Sequence, residues 1–186
     1  ACMSIMTIHT LIRMIRSGSY SDTAEIVTEV NRGLCPNDIV QDDGGFITLL
    51  YSTLNLNDHC LGWTVAGAPM PLLHRLETNE VIQLGNEETG GLPLAIDEDW
   101  VYDRVLTKLP KNSRVLIYTD GLEEAFPGGS DEKGQFGLEG IIASLQSSVD
   151  MSVEDALETL FTDSNAFTEG SGRMDDTSVI LLERIA

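Results

Sequence analysis

The chain has 186 residues, 42% hydrophobic and 22% charged, enough for one globular domain with a sizeable core. Thirty Asp plus Glu against eleven Lys plus Arg give a formal charge of -19, which repels nucleic-acid phosphates and anionic lipid heads, so neither nucleic acid nor a membrane surface is an expected partner. Cys2, Cys35 and Cys60 are odd in number and lack C-x-x-C spacing, and no apolar run reaches the roughly 20 residues of a membrane span, so a reducing cytoplasm is the expected compartment.

The opening Ala1-Cys2-Met3-Ser4 lies inside a helix-like pattern, as in an excised fragment or a processed terminus. Met3, Ile5, Met6, Ile8, Leu11, Ile12 and Ile15 are apolar on more than one face and predict a largely buried helix ending near Arg16-Ser17-Gly18. Ser21 or Asp22 caps a second helix, with Glu25 at capping-box spacing from Asp22 and Val27, Val30 and Leu34 on one face. The loop Asp42-Asp43-Gly44-Gly45 has two readings: a turn, which the frequency of Asp-Gly in turns favours, and a cation loop.

From Phe46 the period becomes that of strands. Phe46 to Leu54 and Cys60 to Val65 read as a hairpin across Asn55-Leu56-Asn57-Asp58, and short strands through Leu72-Leu73-His74 and Val81 to Leu84 continue an antiparallel meander. Gly90-Gly91-Leu92-Pro93-Leu94 reads as a constrained turn, and Trp100 to Leu106 as a strand of mixed faces. Val115-Leu116-Ile117-Tyr118 is a buried strand stopping at Thr119-Asp120-Gly121, with a glycine-rich loop, Gly128-Gly129-Ser130-Asp131, beyond. Helices follow from about Gly137 to Gln146 and, capped by Ser152, through Val153, Leu157, Leu160 and Phe161. Met174-Asp175-Asp176-Thr177 then leads into the strand Ser178 to Leu182. Two helices, a run of strands, two helices and a last strand give an α+β class.

Two buried strands thus each end in Asp. Aspartates without His or Cys neighbours suit hard divalent cations such as Mg²⁺ or Mn²⁺, which polarise phosphoryl oxygens and acidify bound water. The plainer reading is that Asp120 and Asp175 are turn formers. His9, His59 and His74 are dispersed and read as surface or packing residues, and Trp63 and Trp100 as core or hairpin residues.

Leu116 to Ala125 together with Met174 to Leu181 resembles the two C-terminal motifs of metal-dependent protein phosphatases of the 2C type, in the bacterial SpoIIE/RsbU branch. Phe46 to Tyr51, Ala66-Gly67-Ala68-Pro69-Met70-Pro71-Leu72-Leu73 and Gly91-Leu92-Pro93-Leu94 are similar to its other recurring segments, so the resemblance covers nearly the whole chain. It implies an antiparallel β-sandwich flanked by helix pairs, and residues 1–186 as the C-terminal major part of one such domain. It also implies a two-ion Mn²⁺ or Mg²⁺ site whose metal-bound water hydrolyses phosphoserine or phosphothreonine. Asp120 and Asp175 would be metal ligands, Gly121 would permit the turn beside Asp120, and Asp176 would hydrogen-bond around the ions or ligate one directly.

The family's usual substrate is a phosphorylated anti-sigma-factor antagonist, and an upstream sensory or receiver domain is common. The family's N-terminal Gly-Gly-Asp strand and Asp-x-x-Gly-His-Gly turn are absent, and Val65 and Ala68 replace the Asn and His of its Asn-Ala-Gly-His-Pro segment. The parent protein is therefore expected to be a phosphatase, and this N-terminally incomplete piece to bind metal weakly, to turn over little and to be open to homodimerisation. The alternative is a pseudophosphatase, a regulatory module that binds a partner without hydrolysis.

Overall fold

The computed structural model describes residues 2–15, 22–36, 46–127, 134–171 and 175–185, so the Asp42 to Gly45 and Gly128 to Asp131 loops and Met174 lie outside the described residues. The chain forms two compact units, residues 1–68 with 85–109 and residues 69–84 with 110–186. None of the described helices is long and apolar enough to cross a membrane.

In the first unit, α1 (Cys2–Ile15) and α2 (Thr23–Leu34) accompany a sheet of β1 (Leu49–Asn55), β2 (Cys60–Ala66), β5 (Gly90–Gly91) and β6 (Val105–Lys108). Asp22 starts α2, its side chain accepting the Ala24 N–H at 2.9 Å. The helix then buries Ile26, Val27, Val30 and Leu34 in a cluster with Ala66, Leu94 and Tyr102. Fully burying such side chains contributes about 1.5–3 kcal/mol each. The Thr23 and Thr64 hydroxyls meet at 2.7 Å, so the polar start of the helix is satisfied by the sheet it covers. Buried Asn31 donates to the Asp97 carbonyl at 2.7 Å and accepts the Ala95 N–H at 2.9 Å, fixing that loop to α2.

Strand β2 is central. It pairs with β1 from Leu49↔Ala66 to Asn55↔Cys60, with β6 along Cys60 to Trp63, and in parallel with β5 at Val65 and Ala66. Trp63 is fully buried, as expected of a core residue, and its indole N–H donates to Thr107 Oγ1 at 3.0 Å.

The second unit holds β3 (Leu72–Arg75), β4 (Glu80–Gln83), β7 (Ser113–Tyr118) and β8 (Val179–Arg184) in the order β4-β3-β7-β8, antiparallel throughout. A helical turn α3 (Asp120–Glu123) and helices α4 (Gly137–Ser147) and α5 (Val153–Phe167) complete it. Ser152 caps α5 as expected, its hydroxyl accepting the Asp155 N–H at 3.1 Å. Leu72, Leu116, Tyr118, Leu122, Ile141, Leu145 and Leu160 form the core. Arg114, on β7, is also buried at 2% exposure: Nε donates to Glu183 at 2.6 Å, Nη1 to the Ser148 carbonyl at 2.9 Å and Nη2 to the Met151 carbonyl. Its charge is thus surrounded by acceptors, the condition for burying a guanidinium.

The α+β class holds, with four corrections. Helix α1 is not largely buried: Met6 and Met14 are 71% and 67% exposed, and one face, with Ile8, Leu11, Ile12 and Ile15, packs on the core of its unit. The strands are not one meander: after β2 the chain leaves its sheet and β3 pairs with β4 and β7. Gly90-Gly91 is a short parallel strand on β2, joined through backbone groups that need no side chain. Residues 101–104 carry no regular structure, and the strand expected from Trp100 to Leu106 is Val105–Lys108.

Candidate metal centre

The β7–β8 ladder runs to Tyr118↔Val179, which brings the two Asp-bearing segments to one end of one sheet. Beyond it, Thr119 N–H donates to the Ser178 carbonyl at 3.1 Å. Thr119 Oγ1 accepts the Ser178 N–H at 2.9 Å and donates to the Asp176 carbonyl at 3.2 Å. Asp120 therefore opens α3 directly beside the strand that follows Asp175.

Each aspartate uses one oxygen locally. Asp120 Oδ1 accepts the Gly121 N–H at 3.0 Å, and Asp175 Oδ1 accepts the Asp176 N–H at 2.7 Å. The second oxygen of each carboxylate has no hydrogen-bond partner among the described residues. Asp120 is half-buried, and Asp175 and Asp176 are exposed. Asp176 contributes its carbonyl to Thr119 and its N–H to Asp175, so its backbone is bound while its side chain faces solvent.

Gly121 sits in the helical turn with φ outside the left-handed region, so a tight turn is not what requires glycine there. The requirement is contact. A Cβ on Gly121 would lie 2.8 Å from the Asp176 carbonyl oxygen and 3.1 Å from both the Asp175 carbonyl oxygen and Thr177 Oγ1. The bare Cα lets α3 approach the backbone of the second motif.

Two features carry no role in the sequence reading. Thr119 bridges both motifs, yet a threonine closing a strand is already accounted for by its β preference. Tyr118, 4% exposed, donates its hydroxyl to Glu123 Oε1 at 2.6 Å. Burial, reinforced by the Glu123 carboxylate, pushes that phenol far above its ordinary pKa, so it stays a donor and anchors α3 to β7.

Among the described residues the donor set is two carboxylates, each with an oxygen not engaged in a hydrogen bond, and no sulfur or imidazole, which fits part of the shell of Mg²⁺ or Mn²⁺. Among the described residues no group of three His, Cys, Asp or Glu converges to complete it. His74 is buried by β3, its Nε2 2.8 Å from Asn79 Oδ1, in agreement with a packing role. Val65, at the position of the Asn in the resembled segment, is buried in β2.

Comparison with known proteins matches the family described as stage II sporulation protein E (SpoIIE) over residues 1–185. No curated protein sequence matches. Among solved structures, the chain is similar to the RsbU and RsbW domains of a Mycobacterium tuberculosis protein, with a TM-score of 0.72 and 22% identity over 98% of this chain and 47% of that one. It is similar to the SiaA PP2C domain of Pseudomonas aeruginosa, with a TM-score of 0.79 and 15% identity over 97% and 69% of the two chains. The manganese-presoaked phosphatase domain of SpoIIE from Bacillus subtilis gives a TM-score of 0.62 and 16% identity over 96% and 73%. The chain thus spans about half the length of the first of these, and at such identities the likeness shows a shared PP2C-like fold.

Proposed function

The chain belongs to the stage II sporulation protein E family, and on that premise we propose that it is part of a metal-dependent protein serine/threonine phosphatase acting on a phosphorylated regulatory protein, of the kind an anti-sigma-factor antagonist exemplifies. The observation that carries this reading is that the β7–β8 pair brings the Asp120 and Asp175 segments to one end of the sheet, each aspartate with a carboxylate oxygen unclaimed among the described residues. A divalent ion, when bound, supplies a polarised phosphoryl oxygen and a more acidic water.

The chain's own residues would do the rest. Asp120 and Asp175 hold Mn²⁺ or Mg²⁺ as oxygen donors, the contact at Gly121 keeps their backbones together, and Asp176 stands beside them as a further acceptor. The manganese presoak of the similar Bacillus subtilis phosphatase domain supports this choice of ion. Two carboxylates are fewer than such a site needs, so the 186 residues alone are expected to turn over little.

A binding module without hydrolysis is the second reading, favoured by Val65 and Ala68, which place no amide or imidazole where the resembled segment has them. The test is release of phosphate from a phosphoserine peptide with Mn²⁺, using this chain and a form extended at its N-terminus. The extended form should turn over, and Asp120→Asn or Asp175→Asn should lower its rate by about 100-fold or more, a loss of roughly 2.7 kcal/mol of transition-state stabilisation. Binding of the phosphopeptide without turnover by the extended form would favour the module. Robust turnover by the 186-residue chain would show that its own carboxylates suffice.

A further inference from the structure

We infer that the Thr119 hydroxyl is a positioning group for the metal centre, a clasp that fixes the separation of Asp120 and Asp175; this rests on the metal-binding reading above. A hydroxyl has one proton to give and two lone pairs to offer, and Thr119 Oγ1 uses both capacities toward the same facing segment. It accepts the Ser178 N–H at 2.9 Å and donates to the Asp176 carbonyl at 3.2 Å. These two partners bracket Thr177, so the backbone just after Asp175 is held at two points from a single atom. The Thr119 N–H to the Ser178 carbonyl adds a third tie.

The clasp begins where the regular ladder stops at Tyr118↔Val179. Thr119 is joined directly to Asp120, and Asp176 directly to Asp175, so the hydroxyl links the immediate neighbours of both carboxylates. Its β-branched Cβ leaves few χ1 choices, which keeps Oγ1 aimed across the gap.

Burial distinguishes positioning from simple stabilisation. Asp176 and Ser178 are exposed, so without the hydroxyl their backbone groups turn to water and folding loses little. What disappears is the fixed geometry of two ligands, and Mg²⁺ in particular tolerates little departure from octahedral placement. Metal affinity should therefore respond more than fold stability does.

The test is titration of the ¹⁵N-labelled 186-residue chain with Mn²⁺, following paramagnetic broadening of the Gly121 and Asp176 amides. In the parent and in Thr119→Ser both amides should broaden with one shared midpoint. In Thr119→Val, which keeps the shape and removes the hydroxyl, the midpoint should rise on the order of tenfold or split in two, the lower end of what losing a group that orients a ligand costs. The metal-free melting temperature should move by less than about 2 °C, since Thr119 is half-buried, both of its partners are exposed to water, and a change of this kind stays within about 0.5 kcal/mol.

An unchanged midpoint in Thr119→Val overturns the clasp, and so does a Thr119→Ser variant as weak as Thr119→Val. Absence of broadening at both amides in the parent, even at Mn²⁺ concentrations high enough to load a weak two-carboxylate site, overturns the metal-binding reading itself, and the clasp with it, a result distinct from either of those. Hydrogen exchange in the parent, which needs no variant, should show a slowed Ser178 amide; exchange there at the rate of free peptide overturns the clasp directly.

Discussion

Replacing Gly121 by Ala tests whether the two motifs touch as closely as described. The added Cβ would stand 2.8 Å from the Asp176 carbonyl oxygen and 3.1 Å from the Asp175 carbonyl oxygen. Both obstacles are backbone, and the Asp176 carbonyl is tied to the end of β7 through Thr119, so neither can swing aside as a side-chain end would. Overpacking of this kind costs about 1–3 kcal/mol. Alanine at a helical φ restores roughly 0.5–1 kcal/mol by restricting the unfolded chain. Mid-range values leave a net loss of about 1 kcal/mol, which for a chain of this length lowers the melting temperature by about 2–4 °C. Differential scanning calorimetry of parent and variant reads it, and Mn²⁺ broadening should weaken at Gly121 and Asp176 together. A variant that melts at or above the parent's temperature would refute the close approach.

Leu116→Ala, at a core position 1% exposed, should cost about 2–5 kcal/mol, while Leu106→Ala, 58% exposed, should stay within about 0.5 kcal/mol in urea unfolding. Arg114→Met should cost about 3–5 kcal/mol because it strands Glu183 and two carbonyls, and Arg114→Met with Glu183→Leu should recover part of that loss. Burial holds the His74 imidazole below its ordinary pKa of 6.5, with Asn79 opposing and Arg114 adding to the depression. The unfolded chain therefore takes up this proton first. Stability from His74 is complete above pH 6.5 and falls as the pH drops from there toward the folded-state value. His74→Gln should flatten that part of the urea-unfolding profile, and an unchanged slope would count against it.

The sequence makes α2 legible because an Asp cap and an apolar stripe at 26, 27, 30 and 34 agree with each other. It makes β7 legible because its run of apolar residues is buried on both faces. Strand β5 is illegible for the opposite reason: two glycines carry no pattern, and their pairing with Val65 and Ala66 is a matter of backbone alone. The change of sheet after β2 also escapes, since Pro69 and Pro71 look the same in a meander turn as in a crossover, and only the distant β7 decides where β3 goes. At the site, Asp120 and Asp175 stand out by their place at strand ends. Thr119 and Gly121 do not, because each has an ordinary local explanation and their work is done on residues more than fifty positions away.

That separation also orders events during synthesis. Asp120 is made while α4, α5 and β8 do not yet exist, and it is then one carboxylate at the end of a strand that has β3 on one side and nothing yet on the other. Its counterpart arrives only when β8 has been made and has zipped onto β7, the last pairing the sheet acquires. An ion that needs both carboxylates would thus recognise a finished unit and ignore a partial one, and would draw the folding equilibrium toward completion without trapping an intermediate.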